Sequence, residues 1–281
     1  MASLKWVLMF GSLFVASAFA QDLPIVGVGG HSVTFRATEW TMPGVESATA
    51  WFTASGKTFP LFSIDVGADG HSGWLSPDKK TLLLDPVSFG MLSVENDEEK
   101  LVSQQHCDVI SMETGCVLAE RSASFCVGKW VGNQWVSNDG EVFNPALETK
   151  PPKDLLRHVV DIELAQSRAE SIEWSLSFLS PESYMACHPP ARNVQAFNDL
   201  GFYLAEGGND ELALKFYRGV EALGKRTVLM LNIADSLWRL GREDEAQRYY
   251  SQYRDAMSAD GKAQKIPQRV VERSVIQGMK N

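Results

Sequence analysis

Between Val194 and Met257 the apolar and small positions follow a helical rhythm that is written twice. Leu200 and Gly201 are followed by Leu204, Gly208, Ala213 and Tyr217. At the same offsets, 33 positions on, Ile233 and Ala234 are followed by Leu237, Gly241, Ala246 and Tyr250. A repeat of this length predicts stacked helical hairpins, because one hairpin cannot bury its apolar face alone. Gly201, Ala213, Ala234 and Ala246 are small where two helices must approach closely. Gly208 and Gly241 close the first helix of each copy, where a positive φ costs glycine nothing. Asn209-Asp210-Glu211 and Glu243-Asp244-Glu245 put acids at the start of the second helix, against its positive dipole end. Tyr217 and Tyr250 are large enough to fill the space between hairpins.

From Gln21 to about Pro181 the rhythm changes to period two. Val33, Phe35 and Ala37 alternate with Thr34, Arg36 and Thr38. Ala48 to Ala54 and Thr58 to Val66 read as strands around Ser55-Gly56-Lys57, and Asn138-Asp139-Gly140 reads as a hairpin turn between Trp135 and Val142. Val160, Ile162 and Leu164 alternate with acids, and Ile172, Trp174, Leu176 and Phe178 alternate with Glu173, Ser175 and Ser177. Such alternation predicts strands with one buried face, although Leu155 to Leu164 also reads as a helix. Short strands with frequent turns predict an antiparallel sandwich-like or barrel-like unit. Asn144-Pro145 to Pro151-Pro152 reads as a loop within it. Ser180-Pro181 to Pro189-Pro190 is the expected boundary, giving a β-rich domain over 21–183 and a helical domain over 190–281. Beyond Ile266-Pro267, Val270, Val271, Val275 and Ile276 share one side of a final helix, placed to cap a repeat stack.

The helical stretch resembles the tetratricopeptide repeat family over about a quarter of the chain. Phe197, Leu200, Gly201, Leu204, Gly208, Ala213 and Tyr217 carry the likeness in the first copy. Asn232, Ile233, Ala234, Leu237, Gly241, Ala246 and Tyr250 carry it in the second. Lys225 stands where the family usually has proline, and each copy is one residue short of the family's period, which touches the turn between repeats and not the helix contacts. The resemblance implies an α-α superhelix of helical hairpins whose concave face binds protein and performs no chemistry. It implies that Asn198, Phe202 and Ala205, then Leu231, Asp235, Trp238 and Arg239, point into that groove. Asn198, Phe202, Asp235, Trp238 and Arg239 are the expected partner-binding residues. The groove lacks the basic cluster with which some members hold a C-terminal carboxylate. The fold class expected is therefore α+β in two domains, an antiparallel β-sandwich-like unit followed by tetratricopeptide-type hairpins and a capping helix.

Lys5, the apolar run Trp6 to Val15 and Ala18-Phe19-Ala20 form the pattern of a cleaved signal peptide over residues 1–20, with cleavage after Ala20. The expectation is a periplasmic or secreted protein without stable membrane insertion. The formal net charge is −9. Residues 21–193 hold 12 basic against 23 acidic side chains, and 194–281 hold 13 against 12. Neither part offers a basic surface for nucleic acid or anionic lipid.

Cys107, Cys116, Cys126 and Cys187 are an even set in an exported chain, which favours two disulfides among three possible pairings. The pairing expected is Cys107 with Cys116 and Cys126 with Cys187. His106 and His188 beside cysteines invite a metal reading, but the spacings fit no zinc motif, and no metal is expected. Gly70-His71-Ser72-Gly73 lacks the second glycine of a nucleophile elbow, and Gly27-Val28-Gly29-Gly30 lacks the third glycine of a dinucleotide loop. Ser76-Pro77-Asp78 reads as a turn and Asp97-Glu98-Glu99 as a solvated loop. Trp40, Trp51, Trp74, Trp130, Trp135 and Trp174 form either an aromatic platform for a glycan or peptide, or cross-strand packing.

No catalytic motif and no cofactor motif emerge. The function expected is non-catalytic protein–protein interaction, as adaptor or scaffold, with a protein partner in the cell envelope or a second copy of the chain bound through the repeats. The alternative is a ligand- or glycan-binding β domain, with the repeats as a docking or dimerisation unit.

Overall fold

The computed structural model describes residues 24–37, 47–62, 66–67, 74–94, 98–176 and 179–274. The leader expected over 1–20, Trp40, the segment Gly70–Gly73, Asp97, Phe178, Val275 and Ile276 lie outside the described residues. Within them, antiparallel sheets come first and helices follow. The strands are β1 (Ile25–Val26), β2 (Ser32–Ala37), β3 (Ser47–Ala54), β4 (Lys57–Pro60), β5 (Val66–Gly67), β6 (Trp74–Leu75) and β7 (Thr81–Leu84). They continue with β8 (Val87–Val94), β9 (Glu98–Ser111), β10 (Val117–Ser122), β11 (Gly128–Val131), β12 (Gln134–Ser137) and β13 (Val142–Phe143). The helices are α1 (Pro152–Val159), α2 (Ala165–Ser175), α3 (Pro181–Cys187), α4 (Val194–Glu206), α5 (Asp210–Glu221), α6 (Thr227–Arg239), α7 (Glu243–Ala259) and α8 (Gln268–Arg273).

The first sheet runs β1-β2-β3-β4, with β5 also on β3, and the second runs β10-β9-β7-β6, with β8 on β9. Ser55 and Gly56 turn β3 into β4 with φ of 49° and 78°, the two positive values a tight hairpin needs. The two sheets share one buried cluster, in which Val33, Ala50 and Phe52 of the first meet Leu82, Leu84, Ile110 and Val117 of the second. The other face of the second sheet is also covered. Leu83, Cys107, Val109 and Ala119 pack there against Phe125, Trp135 and Phe143, the last two from the small sheet β11-β12-β13. All four residues of β7 are buried, as is the run 106–110 of β9. A strand enclosed on both faces has no reason to alternate.

Four expectations are corrected. Glu98 and Glu99, expected in a solvated loop, begin β9 and pair with Val94 and Ser93 of β8. The segment Val160–Leu164 is the turn between α1 and α2, and Ile172 and Trp174 lie in α2, so the helices begin at Pro152. The buried residues of this region, Leu155 and Val159, then Ala169, Ile172 and Leu176, have helical spacing and join the main helical core. The strand expected over Thr58–Val66 stops at Pro60, after which Phe62 bridges to Leu179. The disulfides are Cys107–Cys126 and Cys116–Cys187, and among the described residues no cysteine is free. The first bond ties β9 to the short 3-10 turn at 123–126, while the second ties the start of β10 to the end of α3. Chain neighbours such as Cys107 and Cys116 are held apart because β9 and β10 form a hairpin with Cys107 opposite Arg121.

The helical region meets the sheets through α3. The Ser183 hydroxyl donates to the Gly115 carbonyl at 2.8 Å and accepts from the Val117 N–H at 3.2 Å. Two disulfides fit a protein of an extracellular or periplasmic compartment. Among the described residues no helix is long and apolar enough to cross a membrane.

Candidate interaction site

The repeat pattern places α4 against α5 and α6 against α7. Gly201 is where the first pair closes. A Cβ there would stand 2.4 Å from the ring of Tyr217, so the ring occupies the space a side chain would need. Ala234, Ala246 and Tyr250 are fully buried at the matching places of the second pair. Gly208 and Gly241 have φ of 94° and 73°, the left-handed values that end α4 and α6. The Asn209 side chain caps α5, accepting from the Leu212 N–H at 3.1 Å.

The outward face of α4 and α6 gathers most of the residues implied by the resemblance. Phe202, Ala205, Asp235 and Arg239 line a small hollow of about 70 Å³, together with Glu206 and Asn232. Phe202 leaves 42% of its surface in water. Asn198 sits beside the hollow, accepting from the Asn232 amide at 3.1 Å. Leu231 is half-buried and packs on the core.

The charged residues here are already engaged. Arg239 forks onto Asp210, with N–O distances of 2.6 and 2.8 Å, although the two lie 29 residues apart. Asp235 accepts from the Tyr250 hydroxyl at 2.7 Å and from two nitrogens of Arg269 at 2.8 and 3.0 Å. Burial acts to raise the Asp235 carboxyl, but these bonds outweigh it and hold the group below the usual range. Trp238 lies under Arg273, whose guanidinium carbon is 4.5 Å from the ring centre, and Arg273 also donates to Tyr250 at 2.9 Å. Arg269 and Arg273 of α8, one turn apart, thus clamp the far end of this face. Apolar spacing alone predicts α8 as a cap, and its polar contacts are carried by the arginines at i and i+4, which share one face of the helix.

Elsewhere the candidate chemistry resolves into structure. Gly27 is small because a Cβ there would stand 2.6 Å from that of Met112. Ser76 and Asp78 bond each other and the N–H of Lys80, which makes a turn. Trp74 and Trp130 pack against the buried Trp135, with centroid distances of 5.8 and 5.3 Å. His188 shares a hydrogen bond with the Thr149 hydroxyl at 3.1 Å. His106 and Asp108 form a buried pair on β9, 3.3 Å apart. Burial acts to lower the His106 ring, but Asp108 outweighs it, so the ring titrates above its usual range. Among the described residues no group of three or more His, Cys, Asp or Glu is placed to hold a metal ion.

Compared with known proteins, the chain matches no family model and no curated protein sequence.

Proposed function

We propose that this chain is an exported, non-catalytic interaction protein of the cell envelope, and that it holds a protein partner on the outward face of α4 and α6. On this reading α4–α5 and α6–α7 are two tetratricopeptide-type hairpins of a separate helical domain, and α8 is their cap. The observation that carries the proposal is the setting of Phe202. Its ring is 42% exposed beside a hollow whose polar groups, Asp235 and Arg239, are already fixed by Arg269 and Asp210. An aromatic side chain beside pre-positioned polar groups is the arrangement of an interface anchor. With the two charges paired internally, the face suits a partner presenting an apolar side chain and not a strongly charged one.

The test is capture of envelope proteins by the full oxidised chain, wild type against Phe202→Ala. Loss of a defined partner from the variant, with its melting temperature unchanged, supports the reading. Equal capture by both proteins moves the interaction away from this face.

A further inference from the structure

A cleft of about 380 Å³ opens where the sheets meet the helices, between β10, the segment 148–150 and the α2–α3 region. The apolar residues of its lining are Val117, Leu176, Leu179 and Tyr184, with Ala119 at its edge. Glu120, Thr149, Lys150, Trp174 and Ser175 stand around it. Its volume falls in the range of small-molecule sites, as does the pattern of an apolar base with a few polar groups.

Trp174 marks the mouth. It is 87% exposed, and no described large apolar side chain is more so. The other described tryptophans are at least partly buried, which leaves Trp174 as the exposed indole among them. The walls around it are fixed. The Cys116–Cys187 bond and the Ser183 contacts hold α3 to the start of β10. The Tyr184 hydroxyl donates to the Lys150 carbonyl at 2.8 Å, and the Glu148 N–H donates to the Leu118 carbonyl at 2.8 Å. The cleft is therefore formed before any ligand arrives.

Charge narrows the ligand. Arg121 forks onto Glu148 and neutralises it. Glu120 and Lys150 both line the cleft and bring one charge of each sign, so the pair adds no net charge that would select a cation or an anion. Together with the Ser175 hydroxyl they offer acceptors and donors in one small space, which is what hydroxyl groups require. A flat indole beside them suits a ring with an apolar face.

We infer that this cleft binds a neutral saccharide, with one pyranose laid by its C–H face on Trp174 and its hydroxyls bonded by Glu120, Lys150 and Ser175. The site shares no residue with the face of α4 and α6 and stands or falls apart from it.

The experiment titrates the full oxidised chain with chitotriose, cellotriose and maltotriose, following tryptophan fluorescence and heat. At least one trisaccharide binds. Trp174→Ala lowers its affinity by about tenfold or more, Glu120→Gln by about threefold, and Trp174→Phe keeps most of it. Phe202→Ala leaves the affinity unchanged. The inference is overturned if none of the three binds, if Trp174→Ala binds as the wild type does, or if a lysine-rich peptide or a sulfated disaccharide binds at Trp174 more tightly than every neutral sugar. Because Trp174 is so exposed, its variants fold, and unchanged melting temperatures confirm it.

Discussion

Cys116 and Cys187 are bonded across 71 residues of sequence, with their Cα atoms 4.7 Å apart. The bond joins the turn before β10 to the last residue of α3, and so fastens the helical region to the sheets. Cys107–Cys126 closes a loop of only 19 residues inside the sheet region. Loop closure in the unfolded chain gives the longer link the larger effect, about 4 kcal/mol against about 3 kcal/mol. Urea unfolding of Cys116→Ala/Cys187→Ala should therefore show a greater loss than Cys107→Ala/Cys126→Ala. Peptide mapping without reduction should recover the two linked pairs named here, and recovery of Cys107 joined to Cys116 would refute the connectivity.

Gly201→Ala forces a methyl group against the ring of Tyr217, which is itself 1% exposed. Overpacking of this kind costs about 1–3 kcal/mol. A variant as stable as wild type in urea would show that α4 and α5 are not in close contact there.

Phe202 and Trp238 separate by stability. Phe202→Ala removes a side chain that touches water and should shift stability by no more than about 0.5 kcal/mol. Trp238 packs on the helical core beneath Arg273, so Trp238→Ala should cost about 2–3 kcal/mol. Equal melting temperatures for the two variants would place both rings on the surface.

Asp235 gives the helical region a sensitivity to acid. Its carboxyl is held below the usual range in the folded chain, so its contribution is present above the unfolded value and is lost as pH falls through the folded one. The stability gap between wild type and Asp235→Asn should be constant near neutrality and close below about pH 4. Arg269→Ala should narrow that gap at neutral pH, since Asp235 then keeps only the Tyr250 bond. A gap that widens in acid would reverse the assignment.

The hairpin pattern was legible because Gly201, Gly208, Ala213 and their counterparts obey contacts local to a pair of helices. β2, β3 and the turn at Ser55-Gly56 were legible for the same kind of reason, since one wet face leaves its mark as alternation. The α2 segment misled because Ile172, Trp174 and Leu176 alternate by accident. Trp174 faces water, and the buried set is Ala169, Ile172 and Leu176. The cysteine pairing was not legible, because it depends on the β9–β10 register and on where α3 docks. The clamp on Asp235 was hidden for a similar reason. Arg269 is 34 residues away, and nothing local ties it to that carboxylate.

The sheet enclosed on both sides has a consequence for how the molecule opens. Amides of Leu82 to Leu84 and of Val109 and Ile110 are bonded within a layer that has packed side chains above and below it. No local fraying exposes them, because removing either cover leaves the other in place. They should exchange with deuterium only through global unfolding and give the full unfolding free energy. The amides of α8, held by one buried valine, by Arg269 on Asp235 of α6 and by Arg273 on Tyr250 of α7, should exchange through a much smaller opening. The end of the face that α8 clamps then opens to water well before the enclosed sheet does.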